Sequence, residues 1–251
     1  MFRIFKWFLP VFFSVLLLFI LELILHKAKV PNYIIPLPSQ VFDVLLTDWE
    51  TILQNTSTTL KEWMIGVALA ILLGLLLSIC SFRSKIFHSF ISPILIISQS
   101  VPYLVFTPIL MIWFGLGIAP KVILVVLTCS FPISLVLQHD LLEAKKEYHL
   151  VVEMLYIKPI KAFFHIYLPY SLPGFFNALK ISVSYSFGSA ALAELMGSEN
   201  GLGVYLLRSQ STYRTDKMLA AVFVIVVISI ASTSLVSLIQ KKVIFWKTAK
   251  H

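Results

Sequence analysis

The chain has 251 residues, of which 59% are hydrophobic and only 13% charged, with a formal net charge of +8. A water-soluble domain of this size would lack the polar surface to cover so much apolar side chain, so the bilayer is the natural solvent. The basic residues lie between apolar runs and not on one face, which points to a membrane and away from nucleic acid.

A helix needs about 20 apolar residues to cross a hydrocarbon core about 30 Å thick. Six runs qualify, at 7–25, 60–82, 90–113, 118–137, 172–196 and 218–239. The first follows Arg3 and Lys6 and is succeeded by His26, Lys27 and Lys29 with no small-residue cleavage site, so it reads as an anchor span and not as a secretory signal. Between the first two runs, Tyr33 and Trp49, with Trp63 just beyond, read as interfacial aromatics. Asn55-Thr56-Ser57 spells a glycosylation acceptor and is taken as chance. Cys80 and Cys129 form no CxxC pattern and read as packing residues.

The third run holds Pro93, Pro102 and Pro108, each of which removes a backbone donor and bends a helix. In lipid such bends survive only where protein or a water-filled path satisfies the freed carbonyls, so this run is placed in the interior. Gln99, Ser100 and Ser130 set uncharged hydrogen-bonding groups beside proline-broken or mid-membrane helix. They fit a translocation path or ordinary bonding between helices.

The 138–170 segment, between the fourth and fifth runs, is too polar to span. Val152, Leu155, Tyr156, Ile160, Phe163 and Tyr167 recur at three- and four-residue intervals, which predicts one helical face, with Lys158, Lys161 and His165 elsewhere. Pro159 suits the first position of a helix. The spacing therefore predicts a short helix ending near Tyr156, a turn, and a second helix over 159–168, forming an elbow parallel to the membrane. That pattern fits either an interfacial helix lying on lipid or a docking surface for a cytoplasmic partner.

Glu22, Lys180 and Glu194 are charges inside apolar runs and functional suspects for that reason. Glu22 suits a dimer contact or snorkelling to the interface, and Lys180 an internal pairing. Glu194 either seats the glycine-rich turn that follows it or touches a transport path. With the N-terminus inside, the internal segments hold Arg3, Lys6, Arg83, Lys85, Lys145, Lys146, Lys158, Lys161, Lys241, Lys242, Lys247 and Lys250. The external segments hold the smaller set Lys27, Lys29, Lys61, Lys121, Arg208, Arg214 and Lys217. Positive charge is retained in the cytoplasm, so both termini are expected there. No G-x-x-x-x-G-K-[ST], H-E-x-x-H or Ser/His/Asp set in a recognisable context occurs, so neither nucleotide binding nor catalysis is expected of this chain.

Several of these residues together resemble a known family, the permeases of bacterial binding-protein-dependent ABC importers, in the branch serving sulfonates, taurine, nitrate and thiamine precursors. Pro36-Leu37-Pro38-Ser39-Gln40-Val41-Phe42 is similar to the segment after that family's first span. Gln99-Ser100-Val101-Pro102 and Pro108-Ile109-Leu110-Met111-Ile112-Trp113-Phe114-Gly115-Leu116-Gly117 resemble its third span. Ala193-Glu194-Leu195-Met196-Gly197-Ser198 with Gly201-Leu202-Gly203 looks like the end of its fifth. The family's cytoplasmic signature E-A-A-x3-G-x9-I-x-L-P is matched at its end by Ile166-Tyr167-Leu168-Pro169. Leu150-Val151-Val152 stand at the E-A-A positions and Tyr156 at the glycine, which puts the usual tight turn in question.

The resemblance implies an all-α, type I importer permease of about six transmembrane helices, a single domain over 1–251 with a cytoplasmic coupling loop at 138–170, in the inner membrane. It implies a second permease copy, an ABC ATPase that carries ATP and Mg on the cytoplasmic side, a solute-binding protein outside, and alternating access. The residues it assigns to ATPase coupling are Glu153, Leu155, Tyr156, Lys158, Pro159 and Ile160. Tyr213-Arg214-Thr215-Asp216-Lys217-Met218 with Leu219-Ala220-Ala221 looks most like permeases for the thiamine pyrimidine precursor, with sulfonate or taurine as the alternative. An ion-coupled carrier, the rival class, would need ionisable groups near the midplane and internal repeats, and both are wanting in the sequence.

Overall fold

The computed structural model describes residues 2–246. Every regular element among the described residues is helical. α1 (Phe2–Ala28) is apolar around its circumference and touches the bundle through α2 (Pro38–Thr47). α2 opens on Pro38, whose missing N–H has no partner to lose at a first helical position. It buries Val44 against Ile52, Tyr205, Ala220 and Ala221.

The centre is built by α3 (Trp49–Arg83), α6 (Ile118–Glu147) and α9 (Leu168–Glu194). On α3 the small residues Gly66, Ala70, Gly74 and Ser78 recur every fourth place and all are buried, giving one flat stripe. Without a hydrophobic drive between helices in lipid, such stripes hold helices together by close packing. A Cβ on Gly66 would lie 2.6 Å from the Val125 side chain, and one on Gly74 2.9 Å from that of Ile133. Ser78 donates across the same contact to the Ser134 carbonyl at 3.1 Å. On its other side α6 meets α9, where the buried Cys129 packs as expected, whereas Cys80 lies on the exposed face of α3 and is not a packing residue.

Three elements depart from the sequence expectation. The third run is broken, not merely bent: α4 (Lys85–Ser100) and α5 (Phe106–Phe114) are separated at Val101–Val105. Val101 is extended (φ −90°, ψ 125°) because the ring of Pro102 disfavours helix for the residue before it. α3 begins well before residue 60, so Asn55 lies within a helix with its side chain buried, where no glycan fits. α6 continues past residue 137 to Glu147, so the elbow is shorter than the 138–170 segment.

α10 (Leu202–Ser211) and α11 (Thr215–Val243) close the bundle against α9 and α2. By length and composition α3, α6 and α11 each suffice to cross a membrane. α1, the α4–α5 pair and α9 occupy the other three apolar runs. Chain order places Arg83, Lys85, Lys145, Lys146, Lys158, Lys161, Lys241 and Lys242 at one end of the bundle, here the elbow end. Lys27, Lys29, Lys121, Arg208, Arg214 and Lys217 fall at the far end. Lys247 and Lys250 lie outside the described residues, as do the side chains of Arg3 and Lys6.

Candidate functional site

At the elbow end, α7 (His149–Met154) is followed by a tight turn and α8 (Pro159–Ala162). Tyr156 adopts φ 50°, the left-handed region that favours glycine. The Tyr156 N–H donates to the Glu153 carbonyl at 3.1 Å and the Ile157 N–H to the Val152 carbonyl at 3.0 Å. This pair of bonds is the Schellman arrangement, with Tyr156 at the position after the helix cap where glycine is usual. The turn in question is therefore made, by a tyrosine. Ile157 and Val152 each pack against the core, which anchors the turn on the bundle.

Beyond Ala162, wholly buried, the chain does not stop at residue 168. A π-helical stretch, Phe163–Tyr167, carries it without interruption into α9. The widened turn accommodates Pro169, whose ring would otherwise press on the preceding turn. Phe82 of α3 anchors this stretch, its ring 5.4 Å from that of Phe163 and 5.6 Å from that of Tyr167, with the Lys145 ammonium 5.3 Å above it.

The apolar positions of the elbow do not share one face. Val152, Phe163 and Tyr167 turn inward, while Leu155, Tyr156 and Ile160 turn outward, because the left-handed residue breaks the helical register between them. Tyr156 is 93% exposed. Leu150, Met154, Leu155, Ile160 and Phe164 are exposed along the same elbow, as are Glu153, Lys158 and Pro159. All six coupling candidates are exposed.

The far end holds a buried polar cluster. Glu194, with no exposed surface, accepts from Thr59 Oγ1 at 2.6 Å and from the Gly203 N–H at 2.7 Å. The Gly201 N–H donates to Asn55 Oδ1 at 2.8 Å and the Leu202 N–H to Thr59 Oγ1 at 3.0 Å. Gly201 has φ 133° and its Cα presses on the Glu194 carboxylate so closely that any side chain would collide with it. Beside them Lys121 donates to Glu62 Oε1 at 2.7 Å, the two residues being 6% and 3% exposed. Glu62 and Lys121 form a buried ion pair that reading the sequence missed.

A second, more exposed cluster joins α2, α10 and α11. Asp48 Oδ2 accepts from Lys217 Nζ at 2.7 Å and from the Tyr205 hydroxyl at 2.8 Å. Burial pushes the Asp48 carboxyl up, but the hydrogen bonds from Lys217, Tyr205 and Thr51 outweigh it and hold the pKa below the ordinary value of 3.8. Burial and the Asp48 bond raise the Tyr205 phenol, which stays neutral.

The interior candidates are dispersed. Gln99 and Ser100 are exposed at the end of α4, and Ser130 is buried on α6 with its hydroxyl unpartnered. Glu22 and Lys180 are partly buried and have no ion pair among the described residues. Trp63 is not interfacial: its indole donates to Ser186 at 2.7 Å and stacks on Phe187 with ring centres 4.3 Å apart.

A probable ABC transporter permease of Haemophilus influenzae is 31% identical over 221 residues, covering 88% of this chain and 90% of that protein. The formylaminopyrimidine transport permease ThiX of Halalkalibacterium halodurans is 27% identical, covering 95% of each chain. A putative aliphatic sulfonates permease, SsuC of Bacillus subtilis, is 26% identical over 74% of this chain and 67% of its own length. Among solved structures, a chain of an amino acid ABC transporter crystallised with histidines superposes with a TM-score of 0.67 at 15% identity, covering 80% of this chain and 98% of that one. Residues 66–245 match the family described as binding-protein-dependent transport system inner membrane component, and the chain belongs to that family.

Proposed function

We propose that this permease subunit of an ABC importer carries a small solute inward by alternating access, with its elbow gripped by a separate cytoplasmic ATPase. The observation that carries the reading is the outward surface around Tyr156. An elbow that exposes Leu150, Met154, Leu155, Tyr156, Ile160 and Phe164 presents apolar surface that water favours covering with a partner. Glu153 and Lys158 within it supply charges of both signs to orient that partner. ATP, Mg and hydrolysis belong to the ATPase, and the elbow end is cytoplasmic.

The exposed apolar circumference of α1 suits lipid and a second permease copy, and the far end suits a solute-binding protein. For the solute, the ThiX relative and the Tyr213–Ala221 resemblance favour a thiamine pyrimidine precursor. Sulfonate or taurine is the second reading, favoured by the SsuC relative.

Tyr156→Asp tests the reading. Aspartate tolerates the left-handed turn better than most residues, so the variant changes the surface and leaves the backbone intact. Recovery of the ATPase with the tagged permease should fall at least tenfold while membrane insertion is unchanged. A normal uptake rate would overturn the assignment of the elbow.

A further inference from the structure

The elbow end holds two cavities of opposite character with one residue, Phe82, lining both. The first, of about 230 Å³, is lined by Lys85, Lys145 and Lys146 with His88 and His149, and none of its lining residues is acidic. The three lysines have no carboxylate partner among the described residues, and Glu153 reaches only His149, at 3.5 Å. Charge of one sign in a hollow with low-dielectric walls concentrates its field on an incoming anion. The second cavity, of about 430 Å³, is apolar and is lined among others by Leu75, Ile79, Phe82 and Phe163, with Arg83 beside them. Leu75, Ile79 and Phe82 follow at four- and three-residue steps on one face of α3. This groove therefore runs along about 10 Å of helix, from the polar end of α3 toward the membrane interior. Lys145 lies 5.3 Å from the centre of the Phe82 ring and Phe163 lies 5.4 Å from it, so the ring has the basic cavity at one side and the apolar one at another.

We propose that the two cavities together hold one anionic phospholipid, with its phosphate among Lys85, Lys145 and Lys146 and one acyl chain laid along Leu75, Ile79 and Phe82. Basic pockets between membrane helices take such headgroups, and the exposed Arg83, which has no ion pair among the described residues, adds a further cation where the headgroup meets the chain. A soluble anion would account for the first cavity only. An ATPase gripping the elbow would account for the exposed elbow residues, but not for a groove that leads away from them along α3. A molecule with a charged head and an apolar tail accounts for both. Pro159 and Ile160 also line the groove, so the bound lipid braces the elbow against α3. The proposal goes beyond transport and needs only a chain that spans the membrane.

Native mass spectrometry of the full chain in detergent tests this, with dioleoylphosphatidylglycerol, dioleoylphosphatidylcholine and glycerol phosphate as probes. Phosphatidylglycerol should be retained at one molecule per chain and at least tenfold more tightly than phosphatidylcholine, which has the same tails and no net charge. Glycerol phosphate, a headgroup without tails, should not be retained. Lys85→Gln combined with Lys146→Gln removes two exposed ammonium groups that have no ion pair, and should weaken phosphatidylglycerol at least fivefold with the melting temperature unchanged. Ile79→Trp, which fills the groove and leaves every lysine in place, should weaken it to a similar degree. Equal retention of the two lipids, or full affinity in the double lysine variant, would overturn the proposal. Glycerol phosphate held as tightly as the lipid would assign the basic cavity to a soluble phosphate and overturn it too. So would loss of the lipid when the ATPase binds, which would give the groove to that subunit. The measurement needs neither transport nor a known orientation, so its failure leaves the reading tested by Tyr156→Asp untouched.

Discussion

A tyrosine held at φ 50° gives up about 1–2 kcal/mol that glycine would not. Tyr156 is kept there by the packing of Val152 and Ile157 against the core and by the two closing hydrogen bonds, and its ring then stands clear of the protein, where a partner can reach it. Asp48 is a fixed charge of another kind. Its folded pKa lies below 3.8, so its ionised form stabilises the fold; that contribution is complete above the ordinary carboxylate pKa and is lost as pH falls through the lower folded value. The melting difference between wild type and Asp48→Asn in detergent should thus be constant from pH 7 to about 4 and shrink below that. A difference that is already lost by pH 6 would show that Asp48 does not tie α2 to α10 and α11 in this way. Glu62 and Lys121 escaped notice in the sequence because each stands at the margin of an apolar run. They meet from 59 positions apart, which no local pattern announces. One sign was available: Glu62 lies four residues before Gly66, in register with the small-residue stripe of α3.

At the level of elements, that stripe decides how near α3 and α6 come. Gly74→Val should press on Ile133 and the Ser130 carbonyl and destabilise the bundle by about 1–3 kcal/mol, read as a lowered melting temperature in detergent. Gly188→Ala is the control, since a Cβ there meets nothing within 4 Å. Equal melting of the two variants would remove the stripe from the account of stability. The six apolar runs were legible because length and composition carry them. The break at Val101 was half legible: three prolines announced irregularity, but which of them interrupts the helix depends on what surrounds each carbonyl. The π-helical passage into α9 left no trace in the sequence, since Pro159 and Pro169 both read as boundaries and only the packing of Phe163 and Tyr167 on Phe82 overrides the second.

On the scale of the whole molecule, the distribution of lysine and arginine favours the elbow end and hence its cytoplasmic placement. Lys158→Cys in a cysteine-free background should react only with membrane-permeant maleimides in intact cells. Reaction with an impermeant reagent would invert the molecule and remove the elbow from reach of any ATPase. The translocation candidates lie on two different helices in a single subunit, Gln99 and Ser100 exposed at the end of α4 and Ser130 buried on α6.

The unbroken passage from α8 into α9 has a mechanical consequence. The 35 residues from Ile160 to Glu194, at about 1.5 Å each, make a rod of roughly 50 Å, with Ile160 at one tip and Glu194 at the other. No non-helical residue intervenes between them, so on the proposed docking a tilt imposed at the elbow would be carried along the rod. The carboxylate that clasps the Gly201–Gly203 turn sits at the far tip of the rod, so a tilt of the rod would move that turn with it.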